Sequence, residues 1–295
     1  MGEKDIVERH LEEYNDVFAD MVNGLLFGGE RVIAPEDLQD APGRSLYKAG
    51  GKIREQERDI AKLWKKEGVV FSLFGLENQT TVDSRMPLRA IGYDGAAYRA
   101  QLEAPHHYPV VTLVLYFGEA LWTAPKTLLE VLDVPEGLRP FVNDYRLNLF
   151  DIPRMSDEEI AGFRGDFRIV ADYFAQVWRR KNYEPSRQVI EHVDAVLKLM
   201  QVLTNDERFE RAQNDIGKEG KKMATMMSVL DTVEERGIHK GLTQGRVEGS
   251  FARARGVAAA MYREGDPVEK IARITDEDVE VIRSWIREFE AGRDA

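Results

Sequence analysis

The chain has 295 residues, no cysteine, 43% hydrophobic and 32% charged residues, and a formal net charge of −11. That length and apolar content suffice for one large domain or two smaller ones. The missing cysteines exclude disulfides, thiolate metal sites and cysteine nucleophiles, and five scattered histidines disfavour a histidine-built metal centre.

The acidic balance argues against a surface that coats DNA uniformly, so any nucleic-acid function has to rest on local clusters of lysine and arginine. The first ten residues are charged, and the longest mainly apolar run, Pro109 to Phe117, is about half a membrane span. Both features predict a cytoplasmic protein with no membrane partner.

In chain order, Leu11, Tyr14, Phe18, Met21, Val22 and Leu25 recur at helical spacing and Gly28-Gly29 stops the pattern, which predicts a first amphipathic helix over 6–27. The turn-rich stretch 31–52, with Pro35, Pro42, Gly43, Gly50 and Gly51, predicts a loop. Residues 52–64 fit a helix through Ile60, Leu63 and Trp64, or a strand with Asp59, Ala61 and Leu63 on one face; we read the second half as a strand. Val69 to Leu76 is uncharged and broken only by Ser72 and Gly75, which predicts a strand covered on both faces.

Ser84 is expected to cap a helix whose apolar stripe is Leu88, Ile91, Tyr98 and Leu102. A buried strand over 110–117 and a short one within 144–150 follow. The sequence is then helical to about residue 210, with Phe163, Ile169, Phe174, Val177, Val193, Val196, Leu197 and Met200 directed to a core. The order predicts an α/β domain over 1–150, a helical region over 151–222, and a distinct carboxy-terminal part over 223–295.

That last part repeats glycine every four residues, at Gly237, Gly241, Gly245 and Gly249. Each helical glycine costs about 0.8–1 kcal/mol relative to alanine, so a helix here needs a partner. Arg236, Lys240, Arg246 and Glu248 exclude the membrane version of such a stripe. We therefore expect an assembly segment and a homo-oligomer formed through the carboxy-terminal helices. Val268 to Phe289 has the outline of a helix-turn-helix, with Pro267 opening one helix, Thr275 capping the next, and Val279, Ile282, Ile286 and Phe289 as its stripe. The would-be recognition helix opens Asp276-Glu277-Asp278, which phosphates repel, so a small packing or dimerisation unit is the better reading.

The chemistry concentrates in GLENQ, residues 75–79. Period two puts Glu77 and Gln79 on one side of a strand end. Asp59 in RDIAKLW, eighteen residues earlier, reaches Glu77 if a neighbouring strand carries it. Two carboxylates at a sheet edge suit magnesium, which takes hard oxygen ligands and activates water and phosphodiesters. On spacing alone, a Glu-x-Gln at a strand end is most often a surface feature.

The stretches FADMVNGLLFGG, RDIAKLW, FSLFGLENQTTVDSRMPLRAIGYDGAAY and VVTLVLYFG, in this order, resemble the Rpn-like group of PD-(D/E)xK nucleases, which bacteria carry under the label transposase. The likeness spans residues 10–150, and the glycine-repeat tail is similar to that group's carboxy-terminal region. It implies a restriction-endonuclease-like core of helix, mixed sheet and helix, followed by an all-helical region. It further implies Asp59 and Glu77 on neighbouring hairpin strands as ligands of Mg2+ or another divalent cation, with Asp20 of the first helix as a third ligand.

Gln79 stands where the superfamily usually has lysine, although glutamine is common in the Rpn-like group. An amide there orients the attacking water but supplies neither charge nor general base. Arg85 and Arg89, four apart on the next helix, and Lys62 in the run Arg58, Lys62, Lys65 and Lys66 are candidates to face DNA phosphates. Ion pairing with carboxylates such as Asp83 is the alternative for the arginines, and a solvated face is the alternative for the run. The favoured function is a metal-dependent DNA endonuclease that promotes recombination or transposition. The alternatives are a catalytically silent DNA-binding or assembly protein that retains the nuclease fold, and a defence or toxin-like nuclease silenced by its own tail.

Overall fold

The computed structural model describes residues 11–41, 44–49, 52–180, 183–204, 208–210, 212 and 224–291. The chain forms two compact units, Met1–Leu230 and Asp231–Ala295. Among the described residues no helix is long and apolar enough to cross a membrane.

The first unit is built on a mixed five-stranded sheet. Its strands are β1 (Leu38–Asp40), β4 (Ile60–Lys66), β5 (Val69–Gln79), β6 (Val110–Tyr116) and β7 (Asn148–Asp151), in that spatial order. β2 (Arg44–Ala49) and β3 (Lys52–Glu57) pair as a separate antiparallel ribbon. The stretch 31–52 is thus not a plain loop, because β1, β2 and the start of β3 lie in it, and both halves of 52–64 are strands.

β4 and β5 form a hairpin around Glu67 and Gly68, both at positive φ (51° and 84°). A two-residue turn of that hand matches the twist of its flanking strands, and it fixes the pairing from Lys66↔Val69 to Ile60↔Leu76, with one irregularity at Trp64/Lys65. β6 then joins β5 in parallel, and β7 joins β6 in parallel.

Helices flank the sheet. α1 (Asn15–Phe27) buries Val17, Phe18, Met21 and Val22 and ends at Gly28, whose left-handed conformation (φ 61°) glycine adopts without strain. α2 (Met86–Arg99) connects β5 to β6 and presents Met86 and Ala90 to a core with Val114, Tyr116, Trp122 and Leu147. α3 (Leu128–Val131) and α4 (Asp157–Ala161) each open with a capping box, Thr127 with Glu130 and Ser156 with Glu159. α5 (Asp166–Arg180), α6 (Val193–Thr204) and the short pair β8 (Val189–Ile190) and β9 (Ala224–Thr225) complete the unit.

Two expectations about α2 need correction. Asp83, not Ser84, serves the helix start, its carboxylate accepting the Arg85 N–H at 2.9 Å. The stripe Leu88, Tyr98 and Leu102 is exposed, and the buried face is Met86, Ala90, Tyr93 and Asp94. A hydropathy stripe undervalues alanine and a satisfied aspartate, and these two let the helix sit close on the sheet. Val177 is also exposed, while Phe163, Ile169, Val193, Val196, Leu197 and Met200 are core residues as expected.

The helix α7 (Met226–Arg263) contains the glycine repeat, and α8 (Val268–Thr275) and α9 (Val279–Ala291) follow. Ala258, Ile271, Ala272, Ile282, Trp285 and Ile286 make a small core among the three. Thr275 does not cap α9: it is the last residue of α8, its hydroxyl donates to the Ile271 carbonyl at 2.8 Å, and Asp276 (φ 58°) ends the helix.

Candidate active site

The carboxyl end of β5 carries Glu77, Asn78 and Gln79. The antiparallel register Ile60↔Leu76 sets Asp59, at the bend entering β4, across from Glu77. The Asp59 carboxylate accepts the Asn78 backbone N–H at 2.7 Å, so a side chain takes over the ladder where β4 has ended.

Glu77 is 1% exposed. Its Oε2 accepts from Arg89 Nη2 at 2.8 Å, whereas its buried Oε1 has no hydrogen-bond partner. Burial, and then the negative charge of Asp59, push the Glu77 carboxyl up to about 8, against the pull of Arg89. Tyr93, whose hydroxyl lies 3.3 Å from Arg89 Nη2, is pushed up to about 12 by burial and by the Glu77 charge. Arg89 also bonds Asp83 at 3.1 Å and keeps 38% of its side chain exposed. Arg85 is 80% exposed with only a 3.9 Å approach to Asp83. Gln79 is half-buried, and its backbone carbonyl accepts the Phe117 N–H.

Asp59, Glu77, Gln79 and Arg89 are therefore gathered at one strand end. Lys62 is not a surface residue. It is 1% exposed and its ammonium donates to the Glu13 carbonyl (2.8 Å), Asn15 Oδ1 (2.7 Å) and Asp40 Oδ1 (2.6 Å), because its place in the middle of β4 points it at α1. Arg58 is also buried, so the run 58–66 is no continuous basic patch. Asp20 is engaged elsewhere: its carboxylate accepts the backbone N–H groups of Arg164 and Gly165 at 2.9–3.0 Å.

Three contributors escaped sequence reasoning. Glu12, 2% exposed, accepts from Asn78 Nδ2 at 2.8 Å. In the sequence it is one of several acids in a charged leader, and only its position beside buried Leu11 sets it apart. Tyr93 and the Arg58–Asp94 pair (2.6 Å) lie under the site, and neither follows a spacing rule. Elsewhere, Asp16, Glu191 and His192 bring ligand-type atoms within 4.8 Å of one another; His192 bonds Asp16 at 2.8 Å and stacks on Tyr14.

Two neighbouring carboxylates, one with a buried oxygen that lacks a hydrogen bond, beside a guanidinium are groups of the kinds that hard divalent cations and phosphates take as partners. A family profile described as "Putative transposase, YhgA-like" matches residues 53–204, just over half of the chain and the part that holds Asp59, Glu77, Gln79 and Arg89. No curated protein and no solved structure matches the chain. With this match over the strands and helix that carry the site, the chain belongs to the YhgA-like transposase family.

Proposed function

We propose that the protein is a metal-dependent DNA endonuclease acting in transposition or recombination. The family points to the processing of DNA during such events, and the nuclease chemistry is our reading of the site. One observation carries it: Glu77 Oε1 is buried, unpartnered and set beside a second carboxylate. An uncompensated buried carboxylate oxygen is costly unless a ligand completes it, and a divalent cation is the ligand that two carboxylates select. The sheet order, with an antiparallel hairpin extended by a parallel strand and flanked by helices, supports a PD-(D/E)xK-type core.

On this reading Asp59 and Glu77 hold Mg2+ or a similar ion, which when bound polarises the phosphodiester and makes water a better nucleophile. Gln79 orients the water. Arg89, which pairs with Glu77 at 2.8 Å and is partly exposed, and exposed Arg85 would meet phosphate oxygens. Asp20 would join as a third ligand only by giving up the two backbone N–H groups it holds.

Supercoiled plasmid incubated with the purified chain tests the proposal. Nicking is expected with Mg2+, absent with chelator, and lost in Asp59→Ala and Glu77→Gln. The ion pair between Arg89 and Glu77 and the glutamine in the lysine position favour a second reading, a DNA-binding protein without cleavage. Retention of DNA with no metal-dependent nicking would establish it.

A further inference from the structure

Beneath the site lies a charged network that neither the family nor the proposed cleavage assigns. Arg58 and Asp94 have side chains 4% and 7% exposed and meet at 2.6 Å. Asp94 also accepts from the Thr112 hydroxyl (2.6 Å) and the Tyr145 hydroxyl (2.6 Å), so it is anchored to α2, β6 and the segment before β7 together. The Arg58 side chain crosses Gly75 closely: a Cβ at position 75 would stand 2.9 Å from its Cδ and 3.0 Å from its Nη1. Its guanidinium lies 5.5 Å from the centre of the Tyr93 ring. Glycine in the middle of a buried strand sacrifices packing and entropy, and here it opens the passage through which Arg58 reaches Asp94.

Arg58 is also the residue immediately before Asp59. Residues 58 and 59 lie between β3 and β4, outside the ladder. On one side Arg58 ties this link to α2, and on the other Asp59 ties it to the Asn78 N–H.

We propose that the buried Arg58–Asp94 pair is the tether that holds the Asp59 carboxylate opposite Glu77, which makes Arg58 and Asp94 positioning residues of the site. A cation held between two carboxylates requires them to be fixed to within about 0.5 Å. Stability alone does not account for such a pair, since well-packed apolar residues of similar volume are often as stable as a buried ion pair. That Asp59 serves a cation rests on the function proposed above, whereas the tether itself can be measured without it.

The test replaces these four residues by apolar ones of similar size, Arg58→Met, Asp94→Leu, Thr112→Val and Tyr145→Phe, so that none of the four is left facing a vacated partner. Gly75→Ala, which presses on Arg58 alone, is the second variant should the first not fold. Residue-resolved hydrogen exchange at the Asn78 amide reads whether Asp59 still accepts its bond. Exchange is expected to rise about tenfold, to the rate found in Asp59→Ala, and to rise about threefold in Gly75→Ala. Mn2+ affinity of the full chain is expected to fall about tenfold, with DNA affinity and melting temperature little changed. A folded variant with Asn78 exchange unchanged from the unaltered chain overturns the tether. If the unaltered chain and Asp59→Ala bind Mn2+ equally, the metal reading fails, and the exchange data still decide the tether.

Discussion

Burial and the charge of Asp59 push the Glu77 carboxyl up to about 8 against the pull of Arg89, and two consequences follow. On the function proposed above, a cation at Glu77 would have to displace its proton, so divalent affinity should rise with pH up to about 8 and level off above it; titrating Mn2+ at several pH values checks this. For folding, Glu77 lies above its ordinary value of 4.5, so the folded state binds more protons than the unfolded one between those limits. Its contribution is complete below about 4.5 and is lost as pH rises through about 8. Glu77→Gln should flatten that decline and be the more stable protein at pH 8 by about 2 kcal/mol, seen in urea melts. Lys62 makes the opposite point. Lys62→Met leaves three acceptors without their donor and should cost about 1–3 kcal/mol, while the salt dependence of DNA binding stays unchanged, since no phosphate contact is removed. The sequence made the two residues look alike, as charges on strands. Period two and the apolar run before it placed Glu77 at a strand end and the family resemblance singled it out, but nothing local distinguishes a lysine that reaches solvent from one that threads between β1 and α1.

At the scale of elements, the site depends on the β4–β5 hairpin, whose turn sets which residue faces Glu77. Glu67 occupies a left-handed conformation (φ 51°) that glutamate adopts at a cost and asparagine tolerates better. Glu67→Asn should raise stability by about 0.5–1 kcal/mol and leave the site intact, as thermal melts and the plasmid assay would report. β5 and β6 were legible because short uncharged runs rich in β-branched and aromatic residues favour buried strands, although Val69 and Phe71 at the start of β5 are exposed and that strand is covered only from Ser72 onward. The β1–β3 region was not, since short edge and ribbon strands carry the same glycines and prolines as loops. The stripe on α2 misled for a related reason: its buried face carries the polar groups of Tyr93 and Asp94, and a hydropathy pattern discards both. The restriction-endonuclease-like expectation came from the resemblance of GLENQ and the helix after it, and composition alone reached no further than an α/β protein.

For the whole molecule, the point of division matters. β9 pairs with β8, and Met226 and Val229 are buried in the first unit, so that unit extends to Leu230 and not to the start of the low-hydropathy stretch before it. Ending the chain near Glu219 would strip β9 and these residues and expose the surface they cover. Ending it after Leu230 removes the rest of α7 with α8 and α9, whose small core is made among themselves. The four glycines of the repeat weaken α7 by about 3–4 kcal/mol relative to alanine, yet the helix runs 38 residues. A helix of that length with a glycine row gains from close packing against another helix. Among the described residues, a Cβ at Gly249 would meet nothing within 4 Å. We propose a second copy as the partner of this row, so the chain ended after Leu230 should keep the proposed metal-dependent nicking while its mass by light scattering drops to that of a monomer. Replacing Gly241, Gly245 and Gly249 by leucine in the full chain should dissociate it too, although leucine favours the helix. A full chain that is monomeric from the outset, or a shortened chain that stays folded and associated but no longer nicks DNA, would show that α7 serves the site and not assembly.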